Sequence, residues 1–156
     1  MRRAARCTRR STTRCSAAID AAPTGLRSLT GAARPRTSLE GAEVLARAAR
    51  AAVGKKASDL VALDLRDLDG VADYFLICSA SSEVQVKAVA EAVEEALRGQ
   101  GVKPWHVEGR EGRRWVLLDY VDVVVHVFHE KTREYYMLDR LWGDARSVDL
   151  GLDPTD

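Results

Sequence analysis

Residues 115–128 read WVLLDYVDVVVHVF and carry the clearest structural signal in the chain. Two apolar runs, 115–120 and 123–128, are separated by only two residues, which is the spacing of a β-hairpin. Val121 is a poor turn residue, because hairpin turns favour Gly, Asn and Asp. The stretch nevertheless predicts two adjacent antiparallel strands near the edge of a sheet.

The segments before and after this hairpin alternate between helix and strand patterns. Tyr74–Ala80 is apolar on both faces, which predicts a central strand covered on both sides. The helix predicted after it begins at the Ser81-Ser82 cap and ends at Arg98, and its apolar stripe consists of Val86, Val89, Val93 and Leu97. Weaker patterns predict helices over 37–53 and 131–142 and strands over 60–65 and 102–107.

These elements follow the order α-β-β-α-β-β-β-α. A helix between two strands implies a crossover, and the hairpin is antiparallel, so the sheet should be mixed. We therefore expect an α/β (mixed α+β) fold with a single mixed sheet of about five strands and flanking helices. Thr37 and Glu40 have capping-box spacing at the first helix, and Tyr135, Leu138, Leu141 and Trp142 should form the apolar side of the last.

Composition bounds the class of protein. The 156 residues suffice for one domain and a tail, and no run of about 20 apolar residues could form a membrane-spanning helix. Three scattered cysteines favour a reducing compartment over a disulfide scaffold. Residues 1–36 hold nine arginines and one acid, a net charge of +8, whereas residues 37–156 hold fifteen bases and twenty-two acids, a net charge of −7.

Three interpretations of residues 1–36 stay open. The segment is rich in Arg, Ser and Ala and has few large apolar residues, so we expect a disordered basic tail. It could be a transit peptide, a spurious upstream extension, or an arm that binds nucleic acid. The predicted domain covers 37–150, and 151–156 should form a flexible C-terminus.

Motifs for catalysis or metal binding are weak. Gly99 and Gly101 follow a helix instead of preceding one, and so do not form a phosphate loop. Asp119 and Asp122 lie three apart in a hairpin, where a turn role is favoured over a metal site. We predict no metal site, no cofactor and no catalytic residues.

The remaining titratable side chains also favour structural roles. His126 and His129 lack a third ligand nearby, so His126 is expected to be a half-buried histidine. Cys78 lies in the most apolar strand and should be an inert core thiol. Six of the nine aromatic residues fall in the hairpin and the last helix, which favours a protein-binding face over an active site.

Four motifs together resemble the RsfS/Iojap family of ribosomal silencing factors. They span most of residues 39–150 in order, and they read KKASDLVALDL (55–65), ADYFLICSASSEVQVKAVAEAV (72–93), WVLLDYVDVVVHVF (115–128) and REYYMLDRLWGDA (133–145). Many members have Gly where this chain has Val121, which leaves the turn conformation open.

The resemblance implies a fold similar to nucleotidyltransferases without their activity. It further implies binding to the fourteenth protein of the large ribosomal subunit, which sterically blocks joining of the small subunit and represses translation under nutrient limitation. Carried over by position, the contact surface consists of Trp115, Leu117, Leu118, Asp119 and Tyr120. A homodimer is plausible from the family.

A net charge of −7 on residues 37–156 disfavours direct nucleic-acid binding by the domain and favours a basic protein surface. The expected location is the bacterial cytoplasm, or a mitochondrion or chloroplast if residues 1–36 are a transit peptide. The alternative function is a divergent nucleotide-binding enzyme related to nucleotidyltransferases.

Overall fold

The computed structural model describes residues 39–69 and 72–152. The chain forms four helices in this part: α1 (Gly41–Gly54), α2 (Glu83–Arg98), α3 (Glu130–Tyr136) and α4 (Leu138–Leu141). The strands are β1 (Ser58–Asp64), β2 (Tyr74–Ala80), β3 (His106–Glu108), β4 (Trp115–Asp119), β5 (Val123–His129) and β6 (Arg146–Ser147). None of the described helices is both long and apolar enough to span a membrane.

One sheet contains all of these strands, in the order β3-β4-β5-β2-β1-β6. β2 and β5 pair in parallel at its centre, and every other neighbouring pair is antiparallel. The expected mixed sheet is confirmed. All seven residues of β2 are buried, because a strand between two others and between two apolar layers has no face exposed to water.

Two apolar layers cover the sheet. The larger lies under α1 and α2, whose valine, leucine and alanine side chains pack on β2, β4 and β5. The smaller lies on the opposite face, where Leu138 and Trp142 pack against Phe75, Ile77 and neighbouring side chains. The C-terminal segment, residues 138–145, thus covers part of the second face. The part of that face formed by the β4–β5 hairpin is only half-covered.

Three predicted boundaries were wrong. α1 begins at Gly41, so Glu40 is its N-cap residue and makes no side-chain cap bond; Thr37 lies outside the described residues. The strand predicted over 102–107 is only His106–Glu108, since Pro104 has no N–H to donate to a ladder. Arg146–Ser147, where no strand was predicted, forms a sixth strand beside β1.

The last predicted helix is in fact two. Met137 adopts the left-handed conformation, with φ 46° and ψ 46°, and separates α3 from α4. The break turns Leu138 and Trp142 toward the sheet and leaves Tyr135 81% and Leu141 75% exposed. The prediction that Tyr135 and Leu141 pack on the core was therefore wrong.

The two ends of the chain are described only in part. Predictions for residues 1–36 fall outside the described residues, as do those for 153–156. At the C-terminal end, Leu152 packs against the larger apolar layer.

The cap of α2 gives a direct test of local stability. The Ser82 side chain accepts a hydrogen bond from the Gln85 backbone N–H at 3.2 Å. We predict that Ser82→Ala lowers the free energy of unfolding by about 1 kcal/mol, whereas Ser82→Asp, which keeps an acceptor, loses much less. Urea denaturation of the full chain measures both, and equal losses would contradict the capping role.

Candidate binding face

β4 presents alternate residues to the two sides of the sheet. Val116 and Leu118 are buried against the helices, whereas Trp115, Leu117 and Asp119 lie half-buried on the opposite side. This is the expected twofold period of a strand. Tyr120 follows in the same register as Leu118 and is fully buried.

The five predicted contact residues are therefore divided between two environments. Trp115, Leu117 and Asp119 share the open face of the sheet, and we call these three residues the Trp115 face. Leu118 and Tyr120 have 0% exposure and pack in the larger apolar layer. The second pair can support the strand from inside but does not reach the surface in this structure.

Aromatic rings hold Trp115 from several directions. Its ring stacks on Phe128 at 4.9 Å between centroids and 23° between planes, and it contacts Tyr136 at 5.0 Å. Phe128 is directly opposite Trp115 in the β4–β5 ladder, which makes the stack a cross-strand pair. The indole Nε1–H of Trp115 donates a hydrogen bond to Nδ1 of His126 at 3.2 Å.

His126 is buried to 4% exposure beneath this face. Burial disfavours the charged imidazolium and lowers the pKa of His126 to about 4. Because Nδ1 accepts from Trp115, the neutral ring carries its proton on Nε2. Nε2 has no hydrogen-bond partner among the described residues, and an unsatisfied buried donor costs about 1–3 kcal/mol.

Asp119 stabilises the hairpin turn. Its Oδ1 accepts from the Val121 backbone N–H at 2.7 Å, and Val121 has a φ of 74°. A β-branched residue at a positive φ is strained, so this bond holds an unfavourable conformation in place. The turn role predicted for Asp119 is confirmed, and part of its carboxylate is committed to the backbone.

The second histidine has an unrelated task. His129 is the N-cap residue of α3, and its Nδ1 accepts from the Lys131 backbone N–H at 3.3 Å. His126 and His129 therefore do not combine into a site. Among the residues that the structure describes, no group of three or more His, Cys, Asp and Glu could hold a metal ion.

The cysteine in β2, Cys78, is also buried. Cys78 has 0% exposure, and desolvation raises the pKa of its thiol to about 12. A thiol with so high a pKa is not a nucleophile at neutral pH. The structure thus agrees with the inert core thiol expected from the sequence.

Apolar surface continues beside Trp115. A groove of about 720 Å³ runs between the turn that precedes β4 and the start of α3, and Trp115, Tyr135 and Tyr136 line it. Tyr136 is 52% and Met137 is 47% exposed. The concentration of aromatic residues in the hairpin and the last helix pointed to this surface, but no residue pattern predicted the helix break at the left-handed Met137.

The fold and the face together define a class: a mixed α/β domain with a half-buried aromatic face on one side of its sheet. A family model described as "Ribosomal silencing factor during starvation" matches residues 37–156. The chain belongs to this family, RsfS, and the resemblance found in the sequence is confirmed.

Individual relatives agree with this assignment. The chain is 47% identical over 108 residues to the ribosomal silencing factor RsfS of Halalkalibacterium halodurans, covering 69% of this chain and 92% of that protein. It is 47% identical over 107 residues to RsfS of Bacillus subtilis, covering 69% and 91%. The chloroplastic protein Iojap of Zea mays is 32% identical over 105 residues, covering 67% and 46%.

The fold is also similar to a solved structure. A crystal structure of a Bacillus halodurans protein aligns with a TM-score of 0.62 and 43% sequence identity, covering 69% of this chain and 97% of that one. Similarity at this level supports both the fold and the family.

The buried imidazole predicts a pH dependence of stability. The pKa of His126 falls from 6.5 to about 4 on folding, so the unfolded chain binds more protons between these values. The free energy of unfolding is therefore unaffected by His126 titration above pH 6.5. It decreases as the pH falls from 6.5 toward 4, by on the order of 3 kcal/mol. Urea unfolding at pH 7.5 and pH 4 should show this extra loss in the wild type.

His126→Asn is the matched control, since it keeps an acceptor near the Nδ1 position but does not titrate in this range. All other titrating groups are common to both proteins, so the difference between their pH profiles isolates His126. Parallel profiles would contradict a depressed pKa.

Proposed function

We propose that this protein represses translation by binding the large ribosomal subunit through its fourteenth protein and blocking the small subunit from joining. Membership of the silencing-factor family supports the ribosomal target. The observation that carries the proposal is the Trp115 face, where a half-buried tryptophan and leucine lie on an open side of the sheet. We propose a binding protein and not an enzyme.

The composition of the face suits a protein partner. Trp and Tyr bury large areas with little loss of conformational entropy, and they dominate the energetics of interfaces. Trp115 is already held by Phe128 and Tyr136, so little further ordering is needed on binding. The exposed Tyr135 and Tyr136, which line the groove beside Trp115, extend the apolar area beyond β4.

Charge favours a basic protein surface over bare RNA. Residues 37–156 carry a net charge of −7, which ribosomal RNA would repel. A basic protein surface would instead attract the domain and accelerate encounter, while aromatic anchors would slow release. Silencing would then follow from occupied volume, without any chemical step.

Within the predicted contact set, the residues take different roles in this proposal. Trp115, Leu117 and Asp119 would meet the partner. Leu118 and Tyr120, buried under the strand, would hold the shape of β4 from the core side. We further propose a cytoplasmic location; the homodimer implied by the resemblance stays a prediction.

Trp115→Ala tests the anchor. We predict that it weakens binding to isolated large subunits by at least about 2 kcal/mol, about thirtyfold in Kd, because an anchoring side chain is removed from the interface. Co-sedimentation of the full chain with large subunits measures the change. The circular-dichroism spectrum should remain that of the wild type.

Leu117→Ala and Leu118→Ala form a matched pair on adjacent residues of one strand. Leu118→Ala should lower the free energy of unfolding by about 2–5 kcal/mol, because it leaves a cavity in the core. Leu117→Ala should affect binding more than stability. If Trp115→Ala and Leu117→Ala both leave the affinity unchanged in a folded protein, the interface lies elsewhere.

Subunit joining tests the proposed consequence. Large subunits saturated with the wild-type protein should form fewer complete ribosomes when small subunits are added, as measured by sucrose-gradient sedimentation. Trp115→Ala at the same concentration should restore joining. Unimpaired joining with the wild-type protein bound would refute steric silencing while leaving the binding interface intact.

A further inference from the structure

We propose that His126 is the positioning residue that fixes the indole of Trp115 in the orientation that the docked partner meets. This inference rests on the proposed function, because it concerns the anchor of the same face. It assigns a purpose to a polar ring that lies in an otherwise apolar layer of the sheet.

The hydrogen bond runs diagonally across two strands. In the β4–β5 ladder Trp115 is opposite Phe128, and His126 is opposite Leu117. The Trp115 Nε1–H nevertheless reaches His126 Nδ1 at 3.2 Å. Trp115 therefore contacts two residues of β5 on the same face: it stacks on Phe128 and donates a hydrogen bond to His126, two residues earlier.

Stacking alone does not determine which way the indole lies. A flip of the ring about its χ2 torsion still turns a face of the indole toward Phe128 but moves Nε1 to the other side. A directional acceptor distinguishes these two orientations, because only one of them places the N–H toward His126. The histidine thus selects the edge of Trp115 that remains available at the surface.

The acceptor is itself held rigidly. The His126 ring contacts Phe75 edge-on at 4.9 Å and 75°, and lies nearly parallel to Phe128 at 6.1 Å and 15°. Phe75 is supported in turn by Trp142 at 5.4 Å, where α4 ends. The orientation of Trp115 is therefore tied to the C-terminal segment through a continuous series of ring contacts.

The second nitrogen of the His126 ring, Nε2, also supports the proposal. Nε2 is buried and has no partner within residues 39–69 and 72–152, so the polarity of the ring brings no benefit there. A phenyl ring at this position would leave no unsatisfied donor. The hydrogen bond to Trp115 accounts for a histidine at this position.

Nuclear magnetic resonance of the 15N-labelled wild-type chain tests the geometry directly. We expect scalar coupling across the N–H···N bond between Trp115 Nε1 and His126 Nδ1, and a ring protonated on Nε2 alone at neutral pH. The indole of Trp142 provides an internal control. Absence of the coupling would overturn the proposal without any variant that could fail to fold.

A double-mutant cycle tests the role in binding. His126→Phe should weaken large-subunit binding about tenfold, the magnitude of one hydrogen bond, and His126→Asn should retain affinity within about threefold. In the Trp115→Ala background, His126→Phe should change affinity less than about twofold, because the residue it positions is gone. Equal effects in both backgrounds would show that His126 acts on the fold alone, and would overturn the inference.

The two proposals fail differently. If Trp115→Ala does not weaken binding, the proposed interface is wrong and the positioning role falls with it. If Trp115→Ala weakens binding but the cycle shows no coupling to His126, only the positioning role is wrong.

Discussion

The parallel pairing of β2 with β5 is the constraint on which the rest of the structure depends. Each of the seven residues of β2 is matched to one of β5, and almost all of these side chains are buried. A parallel pair cannot be joined by a tight turn, so the chain must travel through α2 and the outer strands before β5 returns beside β2. That detour places α2 on one face and makes β4 the neighbour of β5.

The same pairing creates the chemical difference between the two faces. The helical side is filled by aliphatic side chains from α1, α2 and the sheet. The other side is covered by the C-terminal segment and by residues that follow β1, and its aromatic rings and His126 form a layer that ends half-covered at Trp115. On the proposed function, a protein that acts by occupying a binding site needs no reactive group. It needs a rigid surface, and the aromatic contacts beneath Trp115 provide one.

The sequence predicted an element most reliably where its residue pattern differed clearly from that of the flanking residues. β2 was predicted to the residue because it is uniformly apolar and ends at serines that cap α2. WVLLDY is apolar at nearly every position, so its alternation between core and surface was hidden. The contact surface implied by the family resemblance therefore included Leu118 and Tyr120, which are buried in this structure. Met137 could not be foreseen, since its left-handed backbone carries neither Gly nor Asn.

The alternation of buried and half-buried residues along β4 determines how substitutions in this strand would act. Residues 116 and 118 of this strand are buried in the core, whereas residues 115, 117 and 119 are half-buried on the opposite face. On the proposed function, substitutions at 115 and 117 would change partner recognition without reaching the larger apolar layer, whereas Asp119 is committed to the turn. The same substitutions would also change the smaller apolar layer, because Trp115 and Leu117 pack against it.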